Sequence, residues 1–244
     1  MSRYKIIIQY DGLDFSGFQS QKNLNTIQDK IEHSLSFLNK NNLIRLSGAS
    51  RTDSGVHALG QVAHFDLNTD LSLDDIKRAI NARLPIEIRI VNIIEVDNKF
   101  HSRFDAIKKE YLYQCCLTDN PLLAKNHFIV KKINFAILKD LETELLGKHD
   151  FLSFSKFDIE KKNTICEIFQ SKWRLKDEKL FYIIEGNRFL HHMVRYLVGT
   201  MIGCMQGKIA KKDFLSLLDN PIKNARLLKA PAHGLILNRI FYEK

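Results

Sequence analysis

One stretch of this 244-residue sequence concentrates groups able to do chemistry: Gly48-Ala-Ser-Arg-Thr-Asp-Ser-Gly-Val-His-Ala58. Arg51 and Asp53 stand two positions apart among hydroxyl side chains, between Gly48 and Gly55, with His57 just beyond. A carboxylate near a guanidinium and exposed backbone amides stays ionised near neutral pH. Held in that state, it acts as a nucleophile or stabilises a cation. The same residue types also suit an Asx turn in which Asp53 bonds only its own backbone. Chemistry alone leaves both readings open, but the polar segment is longer than a hairpin connection requires.

Other chemical patterns are missing. The sequence has no G-x-G-x-x-G, no G-x-S-x-G and no Walker spacing; Gly203 to Lys208 has the wrong interval, and Ile209 stands where Ser or Thr would bind magnesium. Gly199 and Gly203 suit close helix packing. His191 and His192 fall in a predicted helix, where neighbours point about 100° apart and make poor joint ligands. The four cysteines (Cys115, Cys116, Cys166, Cys204) form no C-x-x-C. Cys115 and Cys116 are adjacent in a predicted strand, face opposite ways and cannot clamp one ion. They read as buried, reduced thiols of a cytosolic protein. We therefore expect no metal, no nucleotide and no other cofactor.

The elements that must position the loop follow from periodicity. Tyr4–Tyr10 reads as a strand ended by Asp11-Gly12. Thr26 caps a helix with Ile27, Ile31, Leu35 and Leu38 on one face. Leu43–Leu46 reads as a short strand, Gly48–His57 as the polar turn, and Gln61–Leu67 as an alternating strand. Ser72 caps a second helix ended by Pro85, and Ile86–Val96 is a strand. The first half thus reads β-α-β-β-α-β, the order of a ferredoxin-like split βαβ unit. In the second half, Ile107–Leu117 is a strand. Asn134 caps a helix stopped by Gly147. Thr164–Leu175 and Leu180–Gly186 form an antiparallel pair, Arg188–Gln206 is the longest helix, Ala210–Leu218 a short one, and Gly234–Tyr242 a final strand. The charged stretch 98–110 is the best boundary, giving subdomains 1–104 and 105–244.

Composition bounds the class. Hydrophobic residues make up 45% and charged residues 27%, which excludes a wholly disordered chain. With 37 Lys and Arg against 28 Asp and Glu the net charge is +9, and a polyanionic partner, nucleic acid first, fits that balance. The N-terminal apolar run is too short for a signal peptide, and no run approaches the roughly 20 residues of a membrane span. We expect a soluble cytoplasmic protein.

Six collinear blocks resemble the tRNA pseudouridine synthase A family. Arg51-Thr-Asp-Ser-Gly-Val-His-Ala58 is similar to its signature Arg-Thr-Asp-x-Gly-Val-His-Ala. Tyr10-Asp-Gly12 with Phe15-Ser-Gly-Phe-Gln19, Thr26-Ile-Gln28, Lys109-Glu-Tyr111-Leu-Tyr113, Phe189-Leu-His-His-Met-Val-Arg195 with Gly199, and Ala230-Pro-Ala-His-Gly-Leu235 resemble its other blocks. Together they run from Tyr10 to Leu235, over nearly the whole chain. Phe18 replaces a commoner tryptophan, Ser54 an alanine, and Ala49-Ser50 precede the arginine where glycine is usual; no charged group is lost.

The resemblance implies an α+β pseudouridine synthase fold. Two ferredoxin-like halves would form one continuous, mainly antiparallel mixed sheet, with helices on one side and a central cleft. It implies an isomerase that converts uridine to pseudouridine at positions 38, 39 and 40 of the tRNA anticodon stem-loop, working as a homodimer without cofactor. Asp53 becomes the essential aspartate, Tyr111 the active-site tyrosine, Arg195 the basic partner of the aspartate, and Leu235 the apolar wall beside the base. Arg51 holds a flipped nucleotide's phosphate or fills the space its base leaves. The target uridine must leave its stack to be reached, and neighbouring targets imply recognition by RNA shape and phosphates. Candidate backbone contacts are Lys22, Lys77, Arg78 and Arg83. The competing readings are a synthase aimed at another RNA site and a non-catalytic RNA-binding protein.

Overall fold

The computed structural model describes residues 1–131, 133–156 and 163–243. It is mixed α+β and its chain forms two compact units, Met1–Ile107 with Ile236–Lys244, and Lys108–Leu235.

In the first unit, β1 (Ser2–Tyr10) buries Tyr4, Ile6, Ile8 and Tyr10 on one face. The helix α1 (Ile27–Ser36) follows; the Thr26 hydroxyl accepts from Asp29 N at 3.2 Å, which satisfies an otherwise orphaned donor. Its Ile27, Ile31 and Leu35 are fully buried, each contributing about 1.5–3 kcal/mol. Next come β2 (Ser47–Gly48) and the long β3 (His57–Leu67). In α2 (Leu73–Asn81) the Ser72 hydroxyl caps by accepting from Asp75 N, and Ile76 and Ile80 are buried. β4 (Ile88–Val96) completes the motif.

β1 pairs antiparallel with both β3 and β4, and β2 pairs with β3, which is the expected split βαβ arrangement. The last strand, β10 (Leu235–Tyr242), lies parallel to β3 through Ile236 opposite His57 and Leu237 opposite Ala58.

The second unit carries β5 (Ala106–Cys116), β6 (Phe128–Ile129), α3 (Phe135–Glu144), β7 (Gly147–Asp150), β8 (Ile165–Lys176), β9 (Lys179–Gly186), α4 (Met193–Met205) and α5 (Lys211–Asp219). Its main strands run β5-β9-β8-β7, antiparallel throughout, with β6 parallel to β5. Trp173 and Tyr182 pack in the core with ring centroids 4.7 Å apart and planes tilted by 32°. Glu142 of α3 is 6% exposed, and its carboxylate accepts from Trp173 N and from Lys139 Nζ.

Several expected boundaries are corrected. Residues 43–46 form no strand; the second strand is only Ser47–Gly48. β3 starts at His57, four residues before Gln61, because β10 pairs with its first two residues. Proline 85 does not end α2, which stops at Asn81. Asn134 makes no side-chain cap.

The longest helix begins at Met193 and not Arg188: His192 adopts the left-handed region, φ 64°, and breaks the run. His191 and His192 therefore precede the helix, with ring centroids 4.0 Å apart, and the helical spacing argued for them does not apply. The four cysteines are reduced and buried, and burial raises the Cys115, Cys166 and Cys204 thiols.

Candidate active site

The Arg51–Asp53 segment has no regular structure, yet its backbone is bonded from several sides. β2 meets β3 through Gly48 opposite Ala63, and Ala49 N donates to Val62 O at 2.8 Å, extending that ladder by one residue. At Ser50 the ladder continues through a side chain. Gln61 Nε2 donates to Ser50 O at 2.7 Å, and Ser50 N donates to Gln61 Oε1 at 3.3 Å. The chain then leaves the sheet.

Beyond that point the loop is held by the segment after β1. The Tyr10 hydroxyl lies 2.8 Å from the buried Thr52 hydroxyl. Phe18 N donates to Thr52 O at 3.2 Å, and the Ser54 hydroxyl donates to Phe15 O at 3.1 Å. A tight turn follows, with Val56 N donating to Asp53 O at 3.2 Å and Gly55 at φ 77°.

Gly17 makes the close approach possible: it adopts φ 91°, and a Cβ there would stand 2.7 Å from Thr52 O. At the far end, His57 Nδ1 lies 3.0 Å from an Asp11 carboxylate oxygen and accepts from Gly12 N at 3.2 Å. Within this frame Thr52 is buried, Asp53 half-buried and Arg51 exposed.

In the second unit, Arg195 and Tyr113 bond the segment before β10, and Tyr111 lies on the same strand as Tyr113. Tyr111 is 6% exposed, with its ring edge-on to Phe189 at 5.1 Å. Its neighbour on the same face, Tyr113, is fully buried and donates its hydroxyl to Pro231 O at 2.8 Å. Burial pushes the Tyr113 phenol up, and the nearby Arg195 charge opposes that shift. Arg195 sits in the first turn of α4; its Nε donates to Ala230 O at 2.9 Å and its carbonyl accepts from Ala230 N at 3.0 Å. The first bond restrains the guanidinium, and the second ties the backbone of the helix start to Ala230. Gly199, one turn on, allows the contact, because a Cβ there would overlap the Leu228 carbonyl. Leu235 is 5% exposed and opens β10.

The remaining candidates are surface cations. Lys22 is exposed in the loop between β1 and α1. On α2, Lys77 pairs with Asp74 at 3.2 Å and Arg78 with Asp75 at 2.5 Å. Arg83, just past that helix, lies over the Phe37 ring, 4.7 Å from its centroid. Sequence reading gave the framework of the loop no role: Tyr10 and Gly17 stood only inside a resembling block, and Gln61 only at the start of a strand. The available signal was Gln61 itself, a polar residue on the strand face that continues as Ala63, Phe65 and Leu67.

A protein-family model described as tRNA pseudouridine synthase matches residues 6–105 and 143–243. Those ranges include the Asp53 loop, Arg195 and Leu235; Tyr111 lies in the interval between them. The tRNA pseudouridine synthase A of Phytoplasma mali (strain AT) is 39% identical over 242 residues, covering 98% of each chain. The protein of the same name from Bacillus subtilis (strain 168) is 35% identical over 245 residues, covering 99% of each. That of Exiguobacterium sp. (strain ATCC BAA-1283 / AT1b) is 34% identical, covering 100% of this chain and 99% of its own. Likeness on this scale runs through both the aspartate loop and the elements around Arg195, and the chain belongs to the tRNA pseudouridine synthase family.

Proposed function

We propose that this isomerase converts uridine to pseudouridine at positions 38, 39 and 40 of the tRNA anticodon stem-loop, with Asp53 as its essential carboxylate. The observation that carries the reading is the setting of Asp53 within the family's matched region. A half-buried carboxylate stands on an irregular loop whose backbone is bonded by Gln61, Phe15 and Phe18 and whose Thr52 hydroxyl is bonded by Tyr10. A loop fixed in that way can aim one side chain without reorganising at each turnover.

In the reaction the C1′–N1 glycosidic bond breaks, the uracil turns, and C5 bonds to C1′. The C5 proton leaves and N1 takes one up, so atoms balance and nothing is oxidised. Asp53 enters by attack at C1′, by addition to C6, or by assisting a glycal route; each begins from the carboxylate form. Tyr111 stacks on the uracil, and its hydroxyl helps the C5 proton depart. Arg195 supplies a guanidinium to a carboxylate, Leu235 an apolar wall beside the base, and Arg51 a contact for the phosphate of the flipped nucleotide or a filler for the space its base leaves.

Lys22, Lys77, Arg78 and Arg83 are the candidate phosphate contacts on the first unit, Lys77 and Arg78 exchanging their exposed aspartates for RNA. The enzyme works in the cytoplasm as a homodimer, with the aspartate loop on subdomain 1–104 and Tyr111 and Arg195 on subdomain 105–244. Pseudouridine mapping in a strain lacking this protein tests the substrate. Loss at positions 38–40 is expected; loss confined to sites outside the anticodon arm overturns the reading.

A further inference from the structure

We propose that Gln61 is a positioning residue for the pseudouridine reaction, setting the backbone from which Asp53 is aimed. This proposal rests on Asp53 being the essential carboxylate.

Gln61 is completely buried. It occupies β3 opposite Ile8 of β1, on the face continued by the apolar Ala63 and Phe65. A primary amide there is unfavourable unless its donors and acceptor are all engaged. They are: Nε2 donates to Ser50 O at 2.7 Å and lies 3.5 Å from the Tyr10 hydroxyl, and Oε1 receives Ser50 N at 3.3 Å and Val62 N at 3.2 Å. Of these contacts only the longest, to Tyr10, reaches β1, and none reaches β4. The two to Ser50 reproduce the paired N–H and C=O contacts of a strand neighbour. They form the last rung of the β2–β3 ladder before the chain turns out to Arg51, Thr52 and Asp53.

The third contact reaches the same loop by a second route, because the Tyr10 hydroxyl is itself 2.8 Å from the Thr52 hydroxyl. One buried amide therefore addresses Ser50 directly and Thr52 through Tyr10. The register adds to this. β1 and β3 slip between Ile8 and Tyr10, so that Gln61 faces Ile8 while Ala58 faces Tyr10. Bulges of this kind re-aim side chains beside functional sites, and here the slip sets Gln61 and Tyr10 against the same loop.

The test compares Gln61→Met, Gln61→Glu and Tyr10→Phe with the native enzyme, measuring kcat and KM on tRNA and thermal midpoints. Gln61→Met fills the volume with apolar atoms and leaves the thermal midpoint near native while removing both Ser50 bonds. The expected result is a kcat reduced by about 10–100-fold with KM changed less than about threefold, since loop misplacement acts on the reacting geometry more than on RNA binding. Tyr10→Phe gives a smaller loss of the same kind. Gln61→Glu keeps the shape and loses a donor that protonation restores. A buried carboxyl favours its neutral form, so the ratio of its kcat to the native value rises as pH is lowered from about 8 to about 6.

Native kcat in Gln61→Met overturns the proposal. So does a loss that tracks the thermal midpoint and vanishes on cooling, with no pH trend in Gln61→Glu. If the native enzyme itself forms no pseudouridine in tRNA, the functional reading fails instead, and the two failures are distinct.

Discussion

At the scale of single residues, the aspartate loop depends on a glycine as much as on its charged groups. Gly17 adopts a backbone region that side chains resist, and a methyl group would press on Thr52 O. Gly17→Ala should cost about 1–3 kcal/mol of stability and lower turnover by about 100-fold through displacement of the loop. Paired denaturation and single-turnover measurements check this, and native turnover in the variant would show that the loop tolerates the shift. Arg51 and Asp53 were legible in the sequence because they sit in one contiguous block. Tyr10 and Gln61 were not, because their partners in the loop lie 42 and 11 residues away and no local pattern announces such a bond. The polar residue in the apolar alternation was the trace they left.

At the scale of elements, the capped helices were the most legible. Thr26 and Ser72 satisfy orphaned amides as their types require, and the apolar spacing after them gives the buried faces. What escaped were boundaries set by distant partners: the start of β3, fixed by β10, and the start of α4, fixed by a left-handed His192.

One long-range contact of this kind carries a pH dependence. His64 of β3 is buried, and its Nδ1 accepts from Ser102 N at 3.2 Å. Burial, assisted by Arg3 and His101, lowers its pKa from 6.5 to about 4. Between those values the unfolded chain binds a proton that the folded one refuses. Stability therefore falls as pH drops through that window, by up to about 3 kcal/mol, and this contribution is level above it. Urea midpoints at about pH 7 and pH 4.5 should converge in His64→Gln relative to the native protein; an equal pH dependence in both would remove His64 as the cause.

At the scale of the whole molecule, the +9 charge was legible at once, but its distribution was not. Arg3, Lys77, Arg78, Lys108, Lys139 and Lys211 all pair with carboxylates. Among the described residues no helix is long and apolar enough to cross a membrane. A basic tRNA enzyme should bind its substrate with an affinity that falls linearly in the logarithm of salt, by about 0.7–0.9 per phosphate neutralised, while kcat at saturating tRNA stays constant. A flat binding response would assign the charge to solubility alone. The account turns finally on Asp53. Tritium release from C5-labelled tRNA, measured on the native enzyme and on Asp53→Asn, is the most direct test. Stoichiometric release by the native protein and none by the variant, with tRNA affinity within about threefold, is the predicted result. Normal release by Asp53→Asn would contradict it.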